Sequence, residues 1–207
     1  MIKLSLMSVF VPTFLFVSLT PGMCMTLSMV LGMTQGVRRT LWMMIGELVG
    51  VGLVAAAAGA GVATLMLRQP ELFALFKWLG GAYLAYLGVM MWRSRGRMAI
   101  PLESMELAPA SRGQLALQGF VTAVANPKGW AFFVALLPPF LDPAQPLSGQ
   151  LAALIAVILT IEFACLLMYA AGGRGLRRML GESDNVRLLN RIAGSLMLGV
   201  GAWLAFG

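Results

Sequence analysis

From Leu4 to Val37 the chain carries no charged side chain, a run of 34 residues. A straight helix needs only about 20 apolar residues to cross the hydrocarbon core of a bilayer. The run is therefore too apolar for a wetted surface and too long for one straight crossing, so it reads as a tilted or broken membrane segment. The rest of the chain has the same character. Thr40 to Leu67 holds one charge, Glu47; Leu72 to Trp92 holds Lys77; Gly113 to Leu141 holds Lys128; Pro143 to Gly173 holds Glu162. A last apolar stretch begins near Val186 and runs to Phe206, with Arg187 and Arg191 in its opening turns, where long basic side chains reach the interface. Six crossings fill the 207 residues and leave no room for a separate soluble domain. With 59% hydrophobic and 11% charged residues, the chain has about half the charge of an ordinary soluble domain. That excludes a water-soluble enzyme. The lack of histidine removes Ser/His/Asp and Cys/His catalysis and histidine-based zinc or haem sites.

The opening Met1-Ile2-Lys3 and apolar run resemble a signal peptide, but the run continues through Thr20-Pro21-Gly22-Met23-Cys24 without a small-residue cleavage pattern. The segment is expected to be retained. The formal charge of +7 reads as membrane topology and not as nucleic-acid binding, because basic residues collect in cytoplasmic loops. The connections after spans one, three and five carry 11 Lys and Arg residues, against 3 on the other side. This expectation puts both termini outside the cytoplasm and makes residues 93–112 a cytoplasmic linker between two three-helix halves.

Two halves of three crossings each are inverted relative to one another, so the fold expected is an all-α integral membrane protein of six transmembrane helices in two inverted repeats. The repeats fall at about 1–92 and 113–207, within a single transporter domain. Inside span one stands Thr20-Pro21-Gly22, and inside span four Asn126-Pro127-Lys128. Thr and Asn are helix N-caps and proline suits the first helical position, so each triplet reads as a stop and restart. A plain proline kink is the alternative. A helix restarting within the membrane presents unpaired N–H groups and the positive end of its dipole, which suits a carboxylate. The two restarts, at Gly22 and Lys128, are expected to approach each other.

Ionisable residues inside spans mark function by default. Glu47 and Glu162 are candidate proton-coupling groups; the alternative for Glu47 is structural pairing with Lys or Arg, that for Glu162 is a hydrogen bond to a neighbouring helix, and Lys128 stands too deep to snorkel. Gly32 and Gly36, Gly46 and Gly50, and the stripe Gly81, Ala85, Gly88 have the spacing of close helix packing. Cys24 and Cys165 lie in apolar stretches and read first as small buried hydrophobes. The sixteen methionines show no metal-ligand spacing, and neither a metal nor a cofactor is expected.

Taken together, Thr20-Pro21-Gly22, the glycines at 32 and 36, Gly46-Glu47, the run from Lys77 to Gly88, and Asn126-Pro127-Lys128 followed by Phe132-Phe133 and Leu137-Pro138-Pro139-Phe140 resemble the LysE/RhtB family of amino-acid exporters. The likeness covers nearly the whole chain in order, with Met23 where the family usually has a second proline and Glu47 where it commonly has aspartate. It implies a bacterial inner-membrane exporter of amino acids or close derivatives, driven by proton antiport, and no enzyme. The expected partners are a small-molecule substrate and the lipid bilayer, without nucleic acid, and a homodimer is left open. The substrate carboxylate is expected at Thr20, Pro21, Gly22, Asn126, Pro127 and Lys128, and its ammonium toward Glu47. The competing readings are a membrane thiol–disulfide conduit using Cys24 and Cys165 and a non-catalytic membrane scaffold.

Overall fold

The computed structural model describes residues 4–94, 110–142, 144–181 and 183–206. Residues 95–109, most of the expected cytoplasmic linker, lie outside them. The described residues form eight α-helices, a 3-10 turn at Pro138–Phe140, and no strand. The expected first span is α1 (Leu4–Leu19) and α2 (Met23–Gln35), which meet at a 56° bend. The expected second span is α3 (Val37–Arg68) and the expected third α4 (Pro70–Arg93). Span four is again two helices, α5 (Arg112–Val124) and α6 (Pro127–Leu136). The remaining two are α7 (Leu147–Gly181) and α8 (Ser183–Phe206).

Among the described residues two helices, α3 and α7, are long and apolar enough to cross a membrane alone, and α1 with α2 reach that length and composition together, as a pair bent into a broken span or a re-entrant loop. At 32 and 35 residues these two helices are roughly 50 Å long, which exceeds the hydrocarbon thickness of about 30 Å. They therefore project beyond it.

Glycines decide which helices touch. On α3, a Cβ at Gly46 would meet the backbone of Ala116 on α5, and one at Gly119 of α5 would meet Met43 of α3. On the other side of the molecule α4 and α8 are in reciprocal contact. A Cβ at Gly81 would stand 2.7 Å from the Gly201 carbonyl oxygen, and one at Gly88 would stand 2.7 Å from that of Gly194. The seat of α2 on α7 is made at Gly32, where a Cβ would lie 2.6 Å from Ala170 Cα. By contrast α3 meets α7 through side chains, Gly52 against Leu159 and Gly59 against Leu151. Gly36, expected to extend the packing stripe of α2, is instead the single-residue corner between α2 and α3. Its φ of +83° explains the glycine, and no atom lies within 4 Å of where its side chain would stand.

The two halves are not packed alike. The half-helix seated closely on α3 is α5, the first part of its span, whereas the one seated on α7 is α2, the second part of its own. The remaining half-helices, α1 and α6, meet through phenylalanine rings. The Phe14 centroid lies 5.8 Å from that of Phe132 and 6.2 Å from that of Phe133, and Phe10 packs edge-on to Phe140 at 4.9 Å.

Candidate functional site: two helix breaks around a buried cavity

The first break follows from local backbone chemistry. Pro21 has no N–H to offer the preceding turn, so α1 ends at Leu19 and α2 starts at Met23. Thr20 does not cap the restart, as its sequence position suggests. Its hydroxyl turns back and donates to the Phe16 carbonyl at 2.9 Å. The N-cap is Gly22, extended at φ −109°, ψ −171°, and no side chain caps the helix. The first helical bond runs from Thr26 N–H to the Gly22 carbonyl. The opening N–H groups of α2, at Met23, Cys24 and Met25, are thus left without a side-chain cap.

At the second break α5 ends at Val124, and Ala125 and Asn126 lead into Pro127 at the head of α6. The Asn126 carbonyl accepts from the N–H groups of Gly129 and Trp130 at 3.1 and 3.4 Å. The Val124 carbonyl accepts from the indole Nε1 of Trp130 at 2.9 Å. The side chains of Pro127 and Lys128 lie outside the described residues.

Between the breaks lies a cavity of about 80 Å³. The first break contributes Thr20, Gly22, Met23 and Cys24, and the second Asn126 and Gly129. Glu47 from α3 and Glu162 from α7 line the same space, with Phe14, Phe132 and Phe133 along one wall. Glu47 is fully buried, and neither of its carboxylate oxygens has a hydrogen-bond partner. Glu162 and the Cys24 thiol are close enough to act on it. Glu162 is half-buried and accepts a 2.7 Å hydrogen bond from the Ser18 hydroxyl. The structure therefore gathers Thr20, Gly22, Asn126, Glu47 and Glu162 around one space.

Two contributors escaped the sequence reading. Ser18 stands two residues before the break, and Tyr169 donates its hydroxyl to the Leu19 carbonyl at 2.7 Å. A signal for Tyr169 existed, because it follows Glu162 by seven residues and so shares its helix face. Below it, Ser28 donates to the Leu166 carbonyl at 2.8 Å. Cys24 and Cys165 are not joined in a disulfide, and both are buried in one apolar cluster.

Long apolar helices, interrupted at two breaks, and a largely apolar cavity with two carboxylates in its wall fit a membrane protein of the translocator type. The sequence pattern of LysE type translocators matches residues 15–207, and the chain belongs to that family. It is 31% identical to a homoserine/homoserine lactone efflux protein of Salmonella typhimurium over 91% of this chain and 90% of that one. A membrane protein of Vibrio cholerae without an assigned activity is also 31% identical, with the same coverage. A leucine efflux protein of Salmonella choleraesuis is 27% identical over 92% and 90%. No solved structure matches. The family defines a transporter rather than an enzyme, and it gives the thiol–disulfide reading of Cys24 and Cys165 no support.

Proposed function

We propose that the protein exports amino acids or close derivatives across the bacterial inner membrane by proton antiport, using this cavity as its binding site. The observation that carries the reading is that both breaks and both in-span carboxylates line one cavity. In this mechanism the substrate carboxylate is held by the uncapped N–H groups of α2 and by the start of α6, at Thr20, Pro21, Gly22, Asn126, Pro127 and Lys128. The ammonium group turns toward Glu47. Glu47 then exchanges that cation for a proton, with Glu162 as the second carboxylate of the pair. A buried carboxylate without a partner is costly, so exchange of one cation for another keeps the site compensated through the cycle.

The relatives that export homoserine, homoserine lactone and leucine place neutral amino acids and their derivatives first among substrates to try. The test is to load vesicles containing the protein with a panel of amino acids and derivatives and impose a proton gradient. Gradient-dependent loss of an amino acid only when the chain is present supports the reading; retention of the whole panel defeats it. The proposed membrane orientation, six crossings with both termini outside the cytoplasm, is checked by phosphatase fusions. A fusion after Phe206 is active and one within residues 93–112 is inactive; the reverse pattern inverts the topology.

A further inference from the structure

The two carboxylates of the cavity are held differently. Glu47 is fully buried on α3, with Glu162 and the Cys24 thiol close enough to act on it. Glu162 comes from α7, and its Oε2 accepts the Ser18 hydroxyl at 2.7 Å. Ser18 itself is buried in the last turn of α1, beside the first break. Among the described residues these glutamates are the only charged groups lining the cavity. Two carboxylates that line one cavity repel each other, and a cation between them offsets that repulsion. A primary ammonium group carries three N–H donors around one nitrogen, enough to bond two carboxylates from different helices at once.

We propose that Glu47 and Glu162 form a two-jawed clamp that reads the primary ammonium group of the exported solute, with Ser18 as the positioning residue that sets the Glu162 jaw. The inference deepens the exporter reading and rests on it. It assigns specificity to the amine end of the solute. A free primary amine is accepted, whereas an N-acylated derivative, uncharged at nitrogen and left with a single N–H, is refused. Ser18 acts through Glu162 and not on the solute, so its contribution falls when residue 162 is no longer ionised.

The experiment uses the full chain in vesicles and compares wild type with Ser18→Ala, Ser18→Thr, Glu162→Gln and the Ser18→Ala/Glu162→Gln double variant. Leucine and homoserine are the solutes, and N-acetyl-leucine is the competitor. Ser18→Ala raises the half-saturating concentration about tenfold, the scale of one hydrogen bond to an ionised group, while maximal export changes little. Ser18→Thr restores it, and Ser18→Ala has a smaller effect in the Glu162→Gln background than in the wild type. The infrared carboxylate stretch of Glu162, recognised by its loss in Glu162→Gln, shifts in Ser18→Ala and returns in Ser18→Thr. N-acetyl-leucine does not compete. An exporter whose Ser18→Ala variant keeps both the wild-type half-saturation and the wild-type spectrum overturns the clamp alone. So does an exporter that N-acetyl-leucine blocks as well as leucine does. A wild-type protein that moves neither amine overturns the exporter reading and the clamp with it.

Discussion

The breaks at residues 20–22 and 125–126 solve one problem in two ways. Interrupting a helix frees a carbonyl at the end of its first part, and in a membrane that group needs a donor from the protein. At the first break the donor is Tyr169, brought from α7 at a separation of 150 residues. At the second it is Trp130, only six residues further along the chain. The first break is also tied to α7 by Ser18–Glu162 on one side and Ser28–Leu166 on the other. The first break is therefore part of α7's environment, whereas the Val124 carbonyl is satisfied from within its own segment. A change at Glu162 is felt at the first break through direct bonds, and it reaches the second only across the cavity.

The largest effect tests the seats from which each break hangs. Gly46→Leu drives a side chain into the Ala116 backbone, and Gly32→Leu drives one into Ala170. Backbone cannot yield as a side-chain tip does, so each variant loses most of its folded protein, seen as the monodisperse fraction on size exclusion in detergent. Tolerance of Gly32→Leu alone would make the seat of α2 softer than that of α5.

Next come the prolines. Pro21→Ala and Pro127→Ala restore an N–H donor and favour a continuous helix, so export falls at least tenfold while the amount in the membrane stays near wild type. Normal export by both would reduce the breaks to kinks. A smaller effect separates the two carbonyl donors. Tyr169 is almost fully buried and Trp130 is 38% exposed. Tyr169→Phe leaves the Leu19 carbonyl unpaired and costs about 1–3 kcal/mol, a fall of several degrees in thermal midpoint. Trp130→Phe costs about 1 kcal/mol, and equal losses would erase the contrast drawn here. The smallest effect belongs to the thiols. The Cys24→Ser/Cys165→Ser double variant exports within about twofold of wild type, because a similarly small side chain replaces each thiol; abolished export would reopen a role for the pair.

Much of this was legible in the residues themselves. Charge spacing located the long helices, and the prolines located both breaks, because a missing N–H acts within one turn. The cap at Thr20 was misread because a hydroxyl in an apolar segment can satisfy itself on its own preceding turn, and sequence does not say which way it rotates. Gly36 looked like packing and is a corner, since one residue type serves close approach and positive φ alike. Ser18 and the partner glycines Gly119, Gly194 and Gly201 were invisible for a different reason. Their importance lies in what stands opposite, and opposition between helices far apart in sequence is not written in either helix alone.

The glycine seats also bear on how the chain is made. α3 is seated on α5, α2 on α7 and α4 on α8, so each of these close contacts joins a helix synthesised early to one synthesised late. At a translation rate of roughly 5–20 residues per second, the residues after α4 take on the order of ten seconds to emerge. When α4 is complete none of the partners of Gly32, Gly46, Gly81 and Gly88 has been made, and those of Gly88 and Gly81, which are Gly194 and Gly201, come last. A nascent chain halted near residue 94 would hold α1 to α4 with these glycine faces bare. It would be a natural target for whatever surveys unfinished membrane proteins.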